Sequence, residues 1–239
     1  MSPQSLSTST QPWIIAHRGA SGAALENSLE AFRIAIALGV DGIELDFHAT
    51  RDGELVVHHD PCLPDGRAIA ELEAAEVARQ RLADGSPAPT VAEVLRLEGD
   101  VHLHLEAKGL PAAADAHLLE LIAGCRRPDR IHVHGFDHRL IARLHRQAPT
   151  LSLGVLSASM PLDPVGPVVA AGAVTLWQEF ELIDAELISR CGAAGIKVIA
   201  WTVNEVAISE RLGRLGVAGL CGNWPERLRV GSRNVEGAP

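Results

Sequence analysis

The stretch Gly39-Val40-Asp41-Gly42-Ile43-Glu44-Leu45-Asp46-Phe47-His48-Ala49-Thr50-Arg51-Asp52-Gly53-Glu54-Leu55-Val56-Val57-His58-His59-Asp60 decides how this chain is read. Its first half alternates. Ile43, Leu45 and Phe47 fall on one side and Gly42, Glu44 and Asp46 on the other, the period of a β-strand. Carboxylates two residues apart on one strand face lie roughly 6.5–7 Å apart at Cα. Both can bend toward one hard cation at ligand distances of about 2.0–2.6 Å. Without a cation they would repel each other and one pKa would rise. The plain alternative is an edge strand with a solvated acidic face. The apolar opposite face and the His-rich, Gly-containing loop that follows favour the metal reading.

On the N-terminal side, Trp13-Ile14-Ile15-Ala16 reads as a short buried strand ending in His17-Arg18-Gly19-Ala20-Ser21-Gly22. A guanidinium forks onto phosphate oxygens, and glycine lets backbone approach closely, so this turn suits an anion. A tight turn with a surface arginine is the alternative. Asn27 or Ser28 can cap a helix that runs to Leu38 and stops at Gly39. On the C-terminal side, Asp52-Gly53 makes a turn and Glu54–Val57 a second short strand that delivers His58, His59 and Asp60. Residues Pro61 to Pro89 fit no strand–helix repeat. They read as an excursion over one face, with a helical piece from Ile69 to Arg81.

From Val91 onward the alternation is regular. Strands are expected at Val101–Ala107, Arg130–His134, Leu151–Leu156, Ala173–Trp177, Lys197–Val203 and Val217–Cys221. Helices are expected at Val91–Leu97, Ala112–Cys125, Leu140–Gln147, Asp184–Ala194 and Glu205–Leu215, with a short one from Pro225. About eight β/α units in 239 residues match an α/β TIM (β/α)8 barrel. The insertion after strand 2 covers about residues 47–89. A doubly wound open sheet is the second choice. The expected organisation is a disordered N-terminal tail over 1–11 and one barrel domain over 12–239.

Composition narrows the function. A net charge of −9 argues against a nucleic-acid surface and a polybasic membrane patch. Cys62, Cys125, Cys191 and Cys221 lack C-x-x-C spacing, which suits free thiols in a reducing compartment. The first eleven residues lack the basic and apolar regions of a signal peptide, and no apolar run approaches the ~20 residues that span a bilayer. The expectation is a cytoplasmic protein that neither inserts into membranes nor binds nucleic acid. Oligomeric state is left open.

Barrel chemistry lies at the C-terminal ends of the strands. There the sequence places His17, Glu44, Asp46, Glu106, Lys108, Asn204 and Asn223. In Val101-His102-Leu103-His104-Leu105-Glu106-Ala107-Lys108 the polar residues share the side expected to face the barrel. Glu106 then stands level with Glu44 and Asp46, completing an oxygen-rich site for Mg²⁺ or Ca²⁺. Lys108 can pair with a phosphate as a point charge, or simply with Glu106. His102 and His104 are expected to pack inside. His48, His132, His134 and His138 read as loop or supporting residues, and His117 and His145 as helix-surface residues.

His17-Arg18-Gly19, Glu26-Asn27-Ser28-Leu29-Glu30-Ala31-Phe32, Gly39 to Asp46, Thr50-Arg51-Asp52-Gly53, Val56 to Asp60, Leu105-Glu106-Ala107-Lys108 and Trp201-Thr202-Val203-Asn204 together resemble the glycerophosphodiester phosphodiesterase family. The motifs keep the family's order from residue 13 to residue 225. The resemblance implies a TIM barrel with a small insertion after strand 2. It implies one divalent cation on Glu44, Asp46 and Glu106, and His17 and His59 as the general acid/base pair. His59 is preferred over His58 because it directly precedes Asp60. Arg18 and Lys108 would hold the phosphate, with Trp201 at the substrate. The implied reaction releases sn-glycerol 3-phosphate and an alcohol from a glycerophosphodiester. Three positions depart from the family: Leu25 for proline, Gly135 for serine, and Asn223 for aspartate. A metal-dependent barrel lyase or aldolase and a non-catalytic sugar-phosphate-binding barrel are the competing functions.

Overall fold

The computed structural model describes residues 11–97 and 99–228. Residues 1–10 of the expected tail, and any continuation of the terminal helix past Leu228, lie outside the described residues. The strands are β1 (Trp13–His17), β2 (Gly42–Ala49), β3 (Leu55–Val57), β4 (His102–Gly109), β5 (Ile131–Gly135), β6 (Ser152–Ser157), β7 (Thr175–Glu179), β8 (Lys197–Trp201) and β9 (Gly219–Gly222). β1 pairs in parallel with both β2 and β9, so the eight parallel strands close on themselves. Closure rules out the open doubly wound sheet. β3 is the exception, antiparallel on the end of β2 with Phe47 opposite Val57.

The helices are α1 (Leu29–Ala37), α2 (Ala74–Val77), α3 (Val91–Val94), α4 (Asp115–Gly124), α5 (His138–Gln147), α6 (Gly166–Ala170), α7 (Ala185–Ala193) and α8 (Val206–Leu215). Every residue of β2 is buried, which removes the edge-strand reading. Ile43, Leu45 and Phe47 join the large core outside the barrel, together with Phe32, Leu118, Ile141 and Leu144. The opposite face of β2 can only point into the barrel.

The excursion after β2 has its own small core of Val56, Leu63, Ile69, Leu72, Val77 and Ala88. The single helix expected from Ile69 to Arg81 is instead a 3₁₀ turn, Ile69–Glu71, followed by α2. The chain is extended between them because the Leu72 carbonyl accepts from the Arg51 amide at 2.8 Å. Glu73 then restarts the helix, with Glu76 closing a reciprocal capping box. β8 ends at Trp201 rather than Val203, although the Val203 amide still donates to the Cys221 carbonyl of β9 at 2.8 Å.

Inside the barrel, aromatic rings and imidazoles stack from the floor up to the C-terminal mouth. Trp13 tilts over His102 with centroids 4.4 Å apart, His104 stacks on His132 at 4.5 Å, and His134 stacks on Trp177 at 4.1 Å. One ring nitrogen of His132 meets His102 and the other meets Ser152 Oγ, both at 2.8 Å. The interior packing expected of His102 and His104 is what these contacts describe.

Candidate active site

Register brings the strand-end residues together. His17 on β1 lies beside Glu44 on β2, Asp46 beside Glu106 on β4, and Glu106 beside His134 on β5. These side chains point inward at the C-terminal mouth. A cleft of about 190 Å³ is lined by His17, Arg18, Glu44, His59, Glu106, Lys108, His134 and Trp201, among others. A larger groove of about 720 Å³ runs outside the barrel past Arg96, Arg127 and Arg130, and none of the strand-end residues lines it. The smaller cleft is where the chemistry converges.

The turn after β1 is built for close approach. Gly19 has φ +79°, and a Cβ there would come within 2.8 Å of Ala31. Arg18 itself sits at φ +56°. Its backbone amide donates to Glu44 Oε2 at 3.0 Å, its Nη1 reaches both Glu26 oxygens at 2.9 Å, and its Nε lies 3.1 Å from Asp46 Oδ2. Ser28 is the cap of α1, its hydroxyl accepting from the Ala31 amide. That frees Asn27 for another task. Its side-chain amide donates to Asp46 Oδ2 at 2.9 Å, and its carbonyl accepts from the Asp46 amide at 3.2 Å. Asn27 is a positioning residue that local helix-cap logic does not reveal.

The three carboxylates differ. Burial, then Asp46 and Glu106, push Glu44 well above the usual carboxylate range. Burial also opposes ionisation of Asp46, but Lys108, Arg18 and the Asn27 amide outweigh it and hold its pKa below the usual value. Burial and then Asp46 raise Glu106 to about 7, with Lys108 only partly offsetting them. Lys108 Nζ bridges the pair, 2.8 Å from Glu106 Oε1 and 3.4 Å from Asp46 Oδ1. Glu44, Glu106 and His134 each offer a ligand atom within 4.8 Å of the others.

His17 is uncharged at neutral pH. Burial, and then Arg18, lower its pKa to about 4, against a hydrogen bond to Asn223 that works the other way. Its Nδ1 lies 2.7 Å from Asn223 Oδ1, and its Nε2 lies 3.9 Å from Glu44 Oε2. With an amide oxygen as acceptor, Nδ1 carries the proton and Nε2 keeps a free lone pair. Asn223 thus orients the His17 ring, a link invisible in a sequence that separates them by 206 positions. Gly222, just before it, must be glycine, since a Cβ would strike the Val203 carbonyl.

His59 Nδ1 pairs with Asp60 Oδ1 at 2.8 Å. His58 Nδ1 meets the Asp60 carbonyl at 2.9 Å, and of the two rings His59 lines the cleft. Trp201 meets Phe136 edge-on, with centroids 5.7 Å apart, and forms one wall of the cleft. His48 braces the loop through the His59 carbonyl at 3.0 Å.

The fold and site together define an α/β barrel with acids, cations and imidazoles gathered at its C-terminal mouth. The profile of the glycerophosphoryl diester phosphodiesterase family matches residues 17–227. The chain is 32% identical over 232 residues to the glycerophosphodiester phosphodiesterase of Caldanaerobacter subterraneus subsp. tengcongensis, covering 90% of this chain and 95% of that one. Among solved structures it resembles a glycerophosphodiester phosphodiesterase of Thermotoga maritima (TM-score 0.75, 25% identity, 91% and 97% covered). It has the same fold as an Oleispira antarctica phosphodiesterase solved with the product sn-glycerol-3-phosphate (TM-score 0.83, 23% identity, 91% and 95% covered). The chain belongs to the glycerophosphoryl diester phosphodiesterase family and is a phosphoric diester hydrolase. No helix among the described residues is long and apolar enough to cross a membrane.

Proposed function

We propose that this chain hydrolyses water-soluble glycerophosphodiesters to sn-glycerol 3-phosphate and an alcohol, with one divalent cation and the His17/His59 pair. The observation that carries the reading is convergence: two imidazoles, an arginine and a lysine share one cleft with buried carboxylates. The residues fit a cation. Glu44 Oε1 is buried with no hydrogen-bond partner among the described residues, and three acidic groups face only two cationic side chains. Glu44, Asp46 and Glu106 would hold the ion, and carboxylates of this kind take Mg²⁺ or Ca²⁺. When bound, it supplies positive charge against the phosphoryl oxygens.

The chain's own residues do the rest. Arg18 and Lys108 hold the phosphate, exchanging part of their present contacts with Glu26, Asp46 and Glu106 for its oxygens. His17, neutral with a free Nε2, takes the proton from the attacking oxygen, either a water or the substrate's own glycerol hydroxyl, the latter giving a cyclic phosphate that a water then opens. His59, oriented by Asp60, gives a proton to the departing alcohol. Trp201 and Phe136 cover the apolar edges of the bound glycerol.

The test is kinetic. His17→Ala and His59→Ala should each lower kcat by about 10²-fold or more, with little change in melting temperature. Wild-type rates in both variants would remove the pair from the mechanism.

A further inference from the structure

His134 is an imidazole of the mouth that the reaction above does not use. It is 1% exposed on β5, and neither ring nitrogen has a hydrogen-bond partner among the described residues. Buried imidazole nitrogens are costly to leave unpaired, so such a ring calls for an explanation. Its plane is fixed. The ring lies on Trp177 at 4.1 Å with an interplanar angle of 5°, and the register of β4 and β5 sets it directly beside Glu106. One of its nitrogens, one Glu44 oxygen and one Glu106 oxygen lie within 4.8 Å of one another, close enough that small side-chain shifts bring all three onto one ion.

We propose that His134 joins Glu44, Asp46 and Glu106 in holding the cation. The centre is then a mixed nitrogen–oxygen site that prefers a first-row transition ion, such as Mn²⁺ or Co²⁺, over Mg²⁺ or Ca²⁺. The physical reason is donor type. Carboxylates alone do not discriminate against hard ions, whereas imidazole strengthens binding along the series from Mn²⁺ upward. Mg²⁺ and Ca²⁺ gain little from a nitrogen donor because they take oxygen ligands almost exclusively. Trp177 serves as the wall against which the ring lies flat. This inference rests on the reading of the mouth as a divalent-cation site.

The experiment uses the full chain stripped of metal and needs no turnover. Mn²⁺, Mg²⁺ and Ca²⁺ are titrated by calorimetry into the wild type and into His134→Phe, which keeps a ring to stack on Trp177. Bound Mn²⁺ is examined by pulsed electron paramagnetic resonance for coupling to ¹⁴N. Even groups that only orient a metal ligand are worth about 10–100-fold in affinity, so losing the ligand itself should cost Mn²⁺ at least tenfold. The expected result is ¹⁴N coupling in the wild type, tighter binding of Mn²⁺ than of Ca²⁺, and both lost in the variant, with Mg²⁺ affinity unchanged within about threefold. Mn²⁺ binding without ¹⁴N coupling, or coupling that persists in His134→Phe, overturns the inference and leaves the cation site standing. The wild-type measurement decides the matter even if the variant fails to fold. A wild type that binds none of the three ions overturns the cation site and the inference together.

Discussion

Replacing Asn223 by aspartate should shift the pH dependence of this enzyme upward from the acid side. Asn223 Oδ1 lies 2.7 Å from His17 Nδ1, and His17 is held near a pKa of about 4 by burial and then by Arg18. Asn223→Asp puts a full negative charge where the amide oxygen now is. Two unit charges at about 3 Å interact by roughly 5 kcal/mol at an effective dielectric of 20. Desolvation of the new carboxylate takes back part of that, so a rise of about 1–3 pH units is expected. The sign follows from the role of the ring. A raised pKa keeps His17 protonated to higher pH and withdraws the neutral base there, so the acid limb of kcat/KM moves up by the same amount. The assay is release of sn-glycerol 3-phosphate across pH 3.5–8, with the ¹⁵N shifts of the His17 ring followed alongside. An acid limb and a ring titration both within about 0.3 units of wild type would refute the coupling.

Other outcomes follow from the fold. Asp115 at the start of α4 is 2% exposed and is clasped by Arg143 Nε at 2.7 Å and Nη2 at 2.9 Å. Arg143→Ala leaves that carboxylate, among the described residues, with only the Gln147 amide as a side-chain partner. The expected cost is about 2–3 kcal/mol, read in calorimetry as a melting point about 4–12 °C lower with unchanged kcat; a drop under 2 °C would contradict it. In the barrel floor, burial and then His102 lower His132 to about 4. Its stabilising contribution is therefore complete above the unfolded value of 6.5 and is lost as pH falls toward 4. The amount is on the order of 3 kcal/mol. Chemical denaturation of wild type and His132→Gln should show the two converging in stability as pH drops through that window, and parallel pH curves would be the contrary result.

The barrel was legible because its strands are buried on both faces. Runs such as Trp13–Ala16 and Leu151–Leu156, punctuated by glycine and proline, leave little room for another architecture. Glu44, Asp46 and Glu106 were legible for the same reason, since strict alternation fixes which side chains face inward. What local pattern cannot carry is who sits across the barrel. The helix expected over Ile69 to Arg81 is broken by a carbonyl committed to Arg51, a contact 21 residues away that no propensity encodes. Asn27 looked like a helix cap because caps and carboxylate-positioning amides share the same chemistry. His134 looked like one more interior imidazole in the run His132-Val133-His134, and only the register with Glu106 sets it apart. Asn223 stood out as a departure from the family's aspartate, but its effect depends on a contact between the first and last strand ends.

The most direct measurement is release of sn-glycerol 3-phosphate from glycerophosphocholine by metal-stripped protein, before and after adding back a divalent cation. The account predicts negligible release from the stripped protein, recovery on adding the ion, and renewed loss with excess chelator. Full activity in the presence of chelator would contradict the cation's role. Binding of the diester with no release under any ion would contradict hydrolysis itself, and turnover of a carbonyl substrate in its place would point to a lyase.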